Sequence, residues 1–176
     1  MQAILKNGEQ LTLRFACPDD AGKLIEYINA VGGESDNLSF GANEFNISVE
    51  AEANYIRSLA ARDNAYMLLA ECNGEIVSCA CLEGGQRNRT RHAATLGLTV
   101  RREKHGCGVG TLVIRRLIEL ARENEILKKI NLQVRCDNVV AIKLYENCGF
   151  EREGIDRRTL CINDEFVDFY YMGLLL

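Results

Sequence analysis

Apolar positions change period several times along the chain, and each change marks an element. Leu11, Leu13 and Phe15 alternate with Thr12, Arg14 and Ala16, the period of a strand with one buried face. An apolar-patterned run from Ala3 to Lys6 precedes it. Asn7-Gly8 lies between the two and supplies the residues of a tight turn, so the chain is expected to open on a hairpin arm. After Cys17-Pro18, Asp19 or Asp20 can cap a helix in which Ala21, Leu24, Ile25 and Ile28 recur at helical spacing, and Gly32-Gly33 stop it. Turn formers dominate Glu34 to Ile47, which reads as a long loop. Ser48-x-x-Ala51 then opens a second helix through Arg62, with Ala51, Tyr55 and Leu59 on its inner stripe and Ile56 beside them.

Two apolar runs follow, Ala65 to Cys72 and Ile76 to Leu82, joined by Asn73-Gly74-Glu75 as a tight hairpin. Ala93 to Val100 reads as the fourth main strand. Thr111 to Asn124 carries Ile114, Leu117, Ile118 and Ala121 on one helical face. Ile130 to Cys136 alternates as a half-buried strand. Asp137-Asn138 can cap a last helix in which Ala141, Leu144, Tyr145 and Cys148 share a face, and Gly149 ends it. Strands over Phe150 to Cys161 and Phe166 to Gly173 close the chain, with Asn163-Asp164 turning between them. Adjacent strands combined with segregated helices indicate an α+β fold on a sheet of mixed direction, not a doubly wound one.

Composition narrows the class. A chain of 176 residues, 47% hydrophobic and 26% charged, suits one globular domain over 1–176, with its core from about residue 10 and the hairpin as an arm. A net charge of -4 sets nucleic-acid binding back. No apolar run approaches the ~20 residues of a membrane span, and Met1 to Gln10 lacks the layout of a signal peptide, so a cytoplasmic protein is expected. The eight cysteines form no Cys-x-x-Cys pair, and His92 and His105 are the only histidines. That spacing suits neither zinc nor a disulfide framework, and free thiols fit a reducing compartment.

The chemistry concentrates in Leu96 to Gly110, LGLTVRREKHGCGVG, a strand and glycine-rich turn running straight into a helix. Gly106, Gly108 and Gly110 leave alternate positions without side chains, so backbone N–H groups can close on a ligand oxygen. The helix N-terminus adds about half a positive charge. Together they make an anion cradle suited to phosphate or pyrophosphate, with Arg101, Arg102, Lys104 and His105 nearby. Glycines that merely solve backbone geometry are the plainer alternative. A Walker loop needs lysine after its last glycine, and Gly110 is followed by Thr111. A dinucleotide fingerprint is Gly-x-Gly-x-x-Gly near a first strand, and this string is neither.

The segment resembles the acyl-CoA-binding motif of the GNAT family of N-acetyltransferases, Gln/Arg-x-x-Gly-x-Gly/Ala at a strand-to-helix turn. His105 stands here in place of the family's glutamine or arginine. Asn138-Val139-Val140-Ala141-Ile142-Lys143-Leu144-Tyr145-Glu146-Asn147-Cys148-Gly149-Phe150 is similar to the family's Asn-x-x-Ala-x-x-Leu-Tyr-x-x-x-Gly-Phe at every fixed position. The order of elements from Gln10 to Leu176 also resembles the family. The resemblance implies a mixed, mostly antiparallel sheet flanked by helices and splayed between the Ala93–Val100 and Ile130–Cys136 strands. Acetyl-CoA would be acyl donor there, with no metal. The pantetheine arm would pair with backbone at Leu98 and Val100, and the pyrophosphate would sit on Gly106, Cys107, Gly108, Val109, Gly110 and Thr111, beside His105. Asn138 has two open roles, helix cap and contact for the cofactor arm.

The implied reaction is direct acetyl transfer to a primary amine of a small molecule, amino acid or peptide. Tyr145, where the family's thioester sulfur lies, would protonate the departing thiolate. Many relatives carry a glutamate midway along the Ala93–Val100 strand. Ala94 and Leu96, the expected inward positions here, cannot take a proton, which leaves His92 as the nearest titratable candidate or as a surface residue continuing Arg87, Arg89 and Arg91. A binding-only acyl-CoA sensor or subunit is the alternative. Asp36, Glu44, Glu50, Glu52, Asp164, Glu165 and Asp168 lie on the segments expected to choose the acceptor, which admits a cationic molecule. A homodimer is compatible with all of this. No nucleic acid or membrane partner is expected.

Overall fold

The computed structural model describes residues 1–176. Eight strands form one sheet: β1 (Gln2–Ile4), β2 (Gln10–Phe15), β3 (Ala65–Cys72), β4 (Glu75–Gly84), β5 (Ala93–Val100), β6 (Lys129–Arg135), β7 (Glu151–Ile162) and β8 (Glu165–Leu175). Four helices accompany it: α1 (Ala21–Gly32), α2 (Val49–Ala60), α3 (Val109–Glu123) and α4 (Val139–Asn147). The strand order is β1-β2-β3-β4-β5-β6-β8-β7, and every neighbouring pair is antiparallel except β5 with β6. The α+β fold with a mixed, mostly antiparallel sheet is therefore as expected, including the turns at Asn7-Gly8, Asn73-Gly74 and Asn163-Asp164, where positive φ values reverse the chain. No helix is long and apolar enough to cross a membrane.

Strand alternation divides the core between the two faces of the sheet. On one face Ala94 and Leu96 of β5, Ile130, Leu132 and Val134 of β6 and Leu82 of β4 pack against Val113, Ile114, Leu117 and Ala121 of α3 and Tyr145 of α4. On the other, Leu24 and Tyr27 of α1 and Ile56 and Leu59 of α2 cover Met67, Leu69 and Ile76. Each fully buried large apolar side chain contributes roughly 1.5–3 kcal/mol. The segment Glu34–Ile47 is a loop, as expected.

Two details differ from the sequence pattern. The α2 stripe is rotated: Glu52, Ala53, Ile56 and Leu59 are buried, while Ala51 and Tyr55 are exposed. Asp20 does not cap α1. It turns back to pair with Arg14 at 2.7 Å through both oxygens and to accept the Cys17 N–H at 2.8 Å, and Arg14 also pairs with Glu71. A guanidinium held in a bidentate pair satisfies more of the buried carboxylate than one helix N–H does.

Candidate active site

β5 and β6 pair only at Ala93–Lys129, Ala94–Ile130 and Thr95–Asn131. Beyond Thr95 they diverge. Leu96 to Val100 keeps β4 on one side and Leu132 to Arg135 keeps β8, but neither stretch has a partner across the gap. The result is a wedge with a free strand edge, able to pair with an extended amide-bearing chain as with another strand. At its wide end Nε2 of the exposed His105 lies 3.0 Å from the Val100 carbonyl.

The turn into α3 continues from that edge. Gly106 (φ +76°) and Gly108 (φ +96°) occupy backbone conformations that L side chains rarely adopt, and Gly108 is the N-cap of α3. From Gly106 to Thr111 only the Cys107 N–H meets an acceptor in the chain, the Lys104 carbonyl at 3.4 Å. The N–H groups of Gly106, Gly108, Val109, Gly110 and Thr111 remain unpaired at a helix N-terminus, an arrangement that suits an anion with several oxygens. Gly110 has a different reason to be glycine. A Cβ there would lie 3.1 Å from Leu144 Cδ2 and 3.7 Å from Leu98 Cδ2, so its smallness lets α3 approach α4 and β5. The half-buried Cys107 directs its thiol at the His105 carbonyl, 3.7 Å away.

Most cations near the cradle are already engaged. Lys104 Nζ reaches both Glu9 oxygens at 2.9 Å, and the Lys6 N–H donates to the Cys107 carbonyl at 3.1 Å, so the N-terminal arm braces the turn. Arg101 pairs with Glu34 at 2.7 Å, the Arg102 N–H donates to the same carboxylate at 2.7 Å, and Arg135 donates to the Asp36 carbonyl at 2.7 Å. These contacts tie the Glu34–Ile47 loop across the wide end of the wedge. They line an open polar depression of about 410 Å³ with Ser35 and His105. Arg102 is left exposed.

α4 closes the other side. Asn138 is its N-cap, and its Oδ1 accepts the Ala141 N–H at 3.1 Å, which leaves both Nδ2 protons without a partner in the chain. Tyr145 is buried edge-on to Phe150, ring centroids 5.8 Å apart, and its hydroxyl makes no hydrogen bond within the chain. Burial, with a smaller contribution from Cys148, pushes its pKa up to about 12. Gly149 (φ +93°) ends the helix as its sequence position suggests.

His92 is not brought to the wedge. It is exposed at the closed end of the β5–β6 pair, where its carbonyl accepts the Lys128 and Lys129 N–H groups. At ~3.3 Å per residue it lies more than ~15 Å along the strand from Gly97. Both expected inward positions of β5 are buried. Ala94 and Leu96 face the core under α3, and the side of β5 open toward α1 and α2 carries Thr95, Gly97 and Thr99.

That second face holds groups the hydropathy pattern hid. Tyr27 of α1 meets Thr99 Oγ1 at 3.0 Å, and Thr99 Oγ1 donates to the Cys79 carbonyl at 3.2 Å. Tyr55 reaches Glu83 at 3.2 Å and the Cys81 thiol at 3.8 Å. Burial pushes the Cys81 thiol up to about 11, and raises Tyr27 and Cys79 as well. Glu52 of α2, the helix that covers this face, is buried. Gly97 is exposed, and a Cβ on it would touch nothing within 4 Å.

A family model for the acetyltransferase (GNAT) family matches residues 36–150, which include the wedge, the cradle and α4. The chain belongs to the GNAT family. It is 35% identical over 115 residues, 65% of this chain and 71% of the other, to the L-amino acid N-acetyltransferase AaaT of Escherichia coli. A GNAT-family acetyltransferase from Streptococcus pneumoniae superposes with a TM-score of 0.92 at 32% identity, covering 94% of this chain and 99% of the other. The yncA protein of Salmonella typhimurium, a putative acetyltransferase solved with its cofactor acetyl-CoA, shares the fold at a TM-score of 0.81, with 18% identity and 94% of each chain covered. This GNAT chain is thus an N-acetyltransferase, and its wedge and cradle lie within the matched segment.

Proposed function

We propose that this acetyltransferase moves the acetyl group of acetyl-CoA directly to a primary amine of a small molecule, amino acid or peptide. The unpaired N–H groups from Gly106 to Thr111, continuous with the free β5 edge, carry this proposal. They offer a pyrophosphate and an extended amide arm their complementary groups in the order in which a CoA molecule presents them. Leu98 offers backbone to the arm and Val100 its N–H, the Val100 carbonyl being met by His105 Nε2 at 3.0 Å; Asn138 offers its free Nδ2 protons, and His105 borders the phosphates. Donors fixed before substrate arrives stabilise a developing oxyanion without reorganisation, and fixed geometry supplies much of the remaining rate. Tyr145 hydrogen-bonds the departing sulfur. A tyrosine hydroxyl with no partner in the chain supports a catalytic role over the binding-only alternative, as does similarity to a named N-acetyltransferase.

Calorimetry with acetyl-CoA, followed by detection of released CoA in the presence of L-amino acids, a diamine and a short peptide, tests the proposal. Binding with turnover of at least one amine is expected. Binding without any CoA release across the panel would favour the sensor.

A further inference from the structure

The structure assigns to Glu52 the removal of the acceptor's proton: we propose that the ammonium group enters on the α1/α2 face of the sheet, over Gly97 and Thr99, and that Glu52 pairs with it and takes its proton. This rests on the acetyl-CoA reading above and names the group that reading lacks.

Glu52 stands in the first turn of α2 and is only 2% exposed, on the same buried stripe as Ala53, Ile56 and Leu59. Glutamate is almost never buried to that degree unless it is paired. Here its carboxylate has no hydrogen bond and no ion pair within the chain, and burial alone acts on it, raising its pKa. Helix α2 lies over this part of β4: the Cys79 and Cys81 side chains pack against the cluster that holds Ala53 and Ile56, and Tyr55, one turn on from Glu52, reaches the Cys81 thiol at 3.8 Å. The register sets Cys79 opposite Thr99 and Cys81 opposite Gly97, so the face of the sheet that α2 covers continues onto β5, where a Cβ on the exposed Gly97 would meet nothing within 4 Å.

The titratable groups around it are Tyr27 from α1, Tyr55 from α2 and the Cys79 and Cys81 thiols from β4. All of them are raised and neutral near pH 7. The nearby Arg62–Glu83 ion pair is closed on itself at 2.6 Å. No cation in the chain answers Glu52. A buried, unanswered carboxylate is costly, and it attracts a cation from outside while becoming a stronger base than an exposed one. A primary ammonium has both properties the site asks for, a positive charge and a proton to lose.

The balance is simple. Glu52 takes one proton from the ammonium, and the freed nitrogen lone pair forms the N–C bond as the C–S bond breaks. The thiolate is protonated through Tyr145, and the second nitrogen proton replaces the Tyr145 proton through water. Glu52 returns its own proton to solvent when the amide leaves.

Glu52→Gln keeps the shape and removes the base. With L-leucine, L-lysine, 1,4-diaminobutane and a tetrapeptide as probes, kcat/KM at pH 7 should fall ~10²-fold or more for whichever amine the wild type acetylates. Acetyl-CoA affinity should be unchanged. The acidic limb set by the carboxylate should disappear, leaving a rate that climbs with the free-amine fraction, and Glu52→Asp should restore part of the rate. A second readout needs no substrate. Because folding raises this carboxyl's pKa, its burial subtracts stability increasingly as pH rises above the unfolded value near 4.5. Glu52→Gln should therefore melt higher than wild type at pH 7–8 and alike at pH 4. A wild-type rate and acidic limb in Glu52→Gln, or a melting temperature lower at pH 8 than wild type, overturns the assignment and leaves the acetyl-CoA reading standing. A wild-type chain that binds no acetyl-CoA overturns both.

Discussion

Replacing Tyr145 by Phe removes one oxygen and keeps the ring, so it separates chemistry from packing. The edge-on contact with Phe150, 5.8 Å between centroids, survives, and no hydrogen bond within the chain is lost because the hydroxyl makes none. Stability should change by no more than about 1 kcal/mol, or ~2–4 °C in melting temperature for a domain of this size. The rate should respond differently. General-acid assistance contributes ~10²–10⁴-fold, most when the acid's pKa lies near the working pH. Tyr145, pushed up to about 12, is a weaker acid than an ordinary thiol at ~8.5, so the proton moves uphill and assistance belongs at the lower end. We expect kcat to fall ~10²-fold, equivalent to about 3 kcal/mol of barrier. Steady-state CoA release at saturating acetyl-CoA, alongside calorimetry and thermal melting, reads all three quantities. A mutant with wild-type kcat refutes the role, because the ring alone would then account for the tyrosine. A drop in melting temperature of ten degrees or so would refute the claim that its hydroxyl has no structural partner.

Gly108→Glu should bring a carboxylate to the cradle at a cost of about 1–2 kcal/mol in backbone strain at φ +96°, and calorimetry should show acetyl-CoA binding abolished in a folded protein. Gly110→Leu should do the reverse. Its side chain meets Leu144 and Leu98, so thermal melting should show a loss of roughly 1–3 kcal/mol from overpacking. Asn138→Asp keeps the cap oxygen and removes the Nδ2 donors, so it should raise KM for acetyl-CoA at unchanged stability, whereas Asn138→Ala should also lose ~0.5–2 kcal/mol by denaturation. Asp20, held at about 2 by the Arg14 guanidinium, contributes stability that is complete above its unfolded pKa near 3.8 and lost as pH falls toward 2. Asp20→Asn should therefore cost about 2 kcal/mol at pH 7 and almost nothing at pH 2, read from urea midpoints.

Where period and punctuation agreed, the chain was legible to within a residue or two. The alternation of Ile130, Leu132 and Val134 locates β6, and the paired turn residues place three hairpins, because strand period and positive-φ turns are local properties. The cradle was legible as three glycines. Their division of labour was not, since Gly106 and Gly108 answer to backbone angle and Gly110 to a neighbour more than thirty residues away in sequence. Helix α2 shows the deeper limit. A hydropathy pattern looks for apolar residues on the inner face, so an acid placed there rotates the apparent stripe. The pattern expects Ala51 and Tyr55 inside, and Glu52 takes that position. The residue that broke the pattern is the one left without a partner. His92 illustrates the opposite error: closeness in sequence to β5 gives no closeness to the wedge, because the strand itself is ~25 Å long.

The contacts from Lys6 and Glu9 to Cys107 and Lys104 bear on modularity. The stretch that reads as a donor-binding motif is short and contiguous, yet its turn is buttressed by residues ninety-five and more positions upstream. Grafting Arg101–Thr111 onto a foreign strand and helix would transfer the glycines and the helix terminus without the buttress, and the amides would be free to splay. Conversely, if the cradle binds the donor as proposed, Glu9→Ala, remote from any recognisable signature, should weaken acetyl-CoA affinity in calorimetry. On the proposed reading, the unit that binds the acyl donor is the motif together with its arm, and neither is complete as a part.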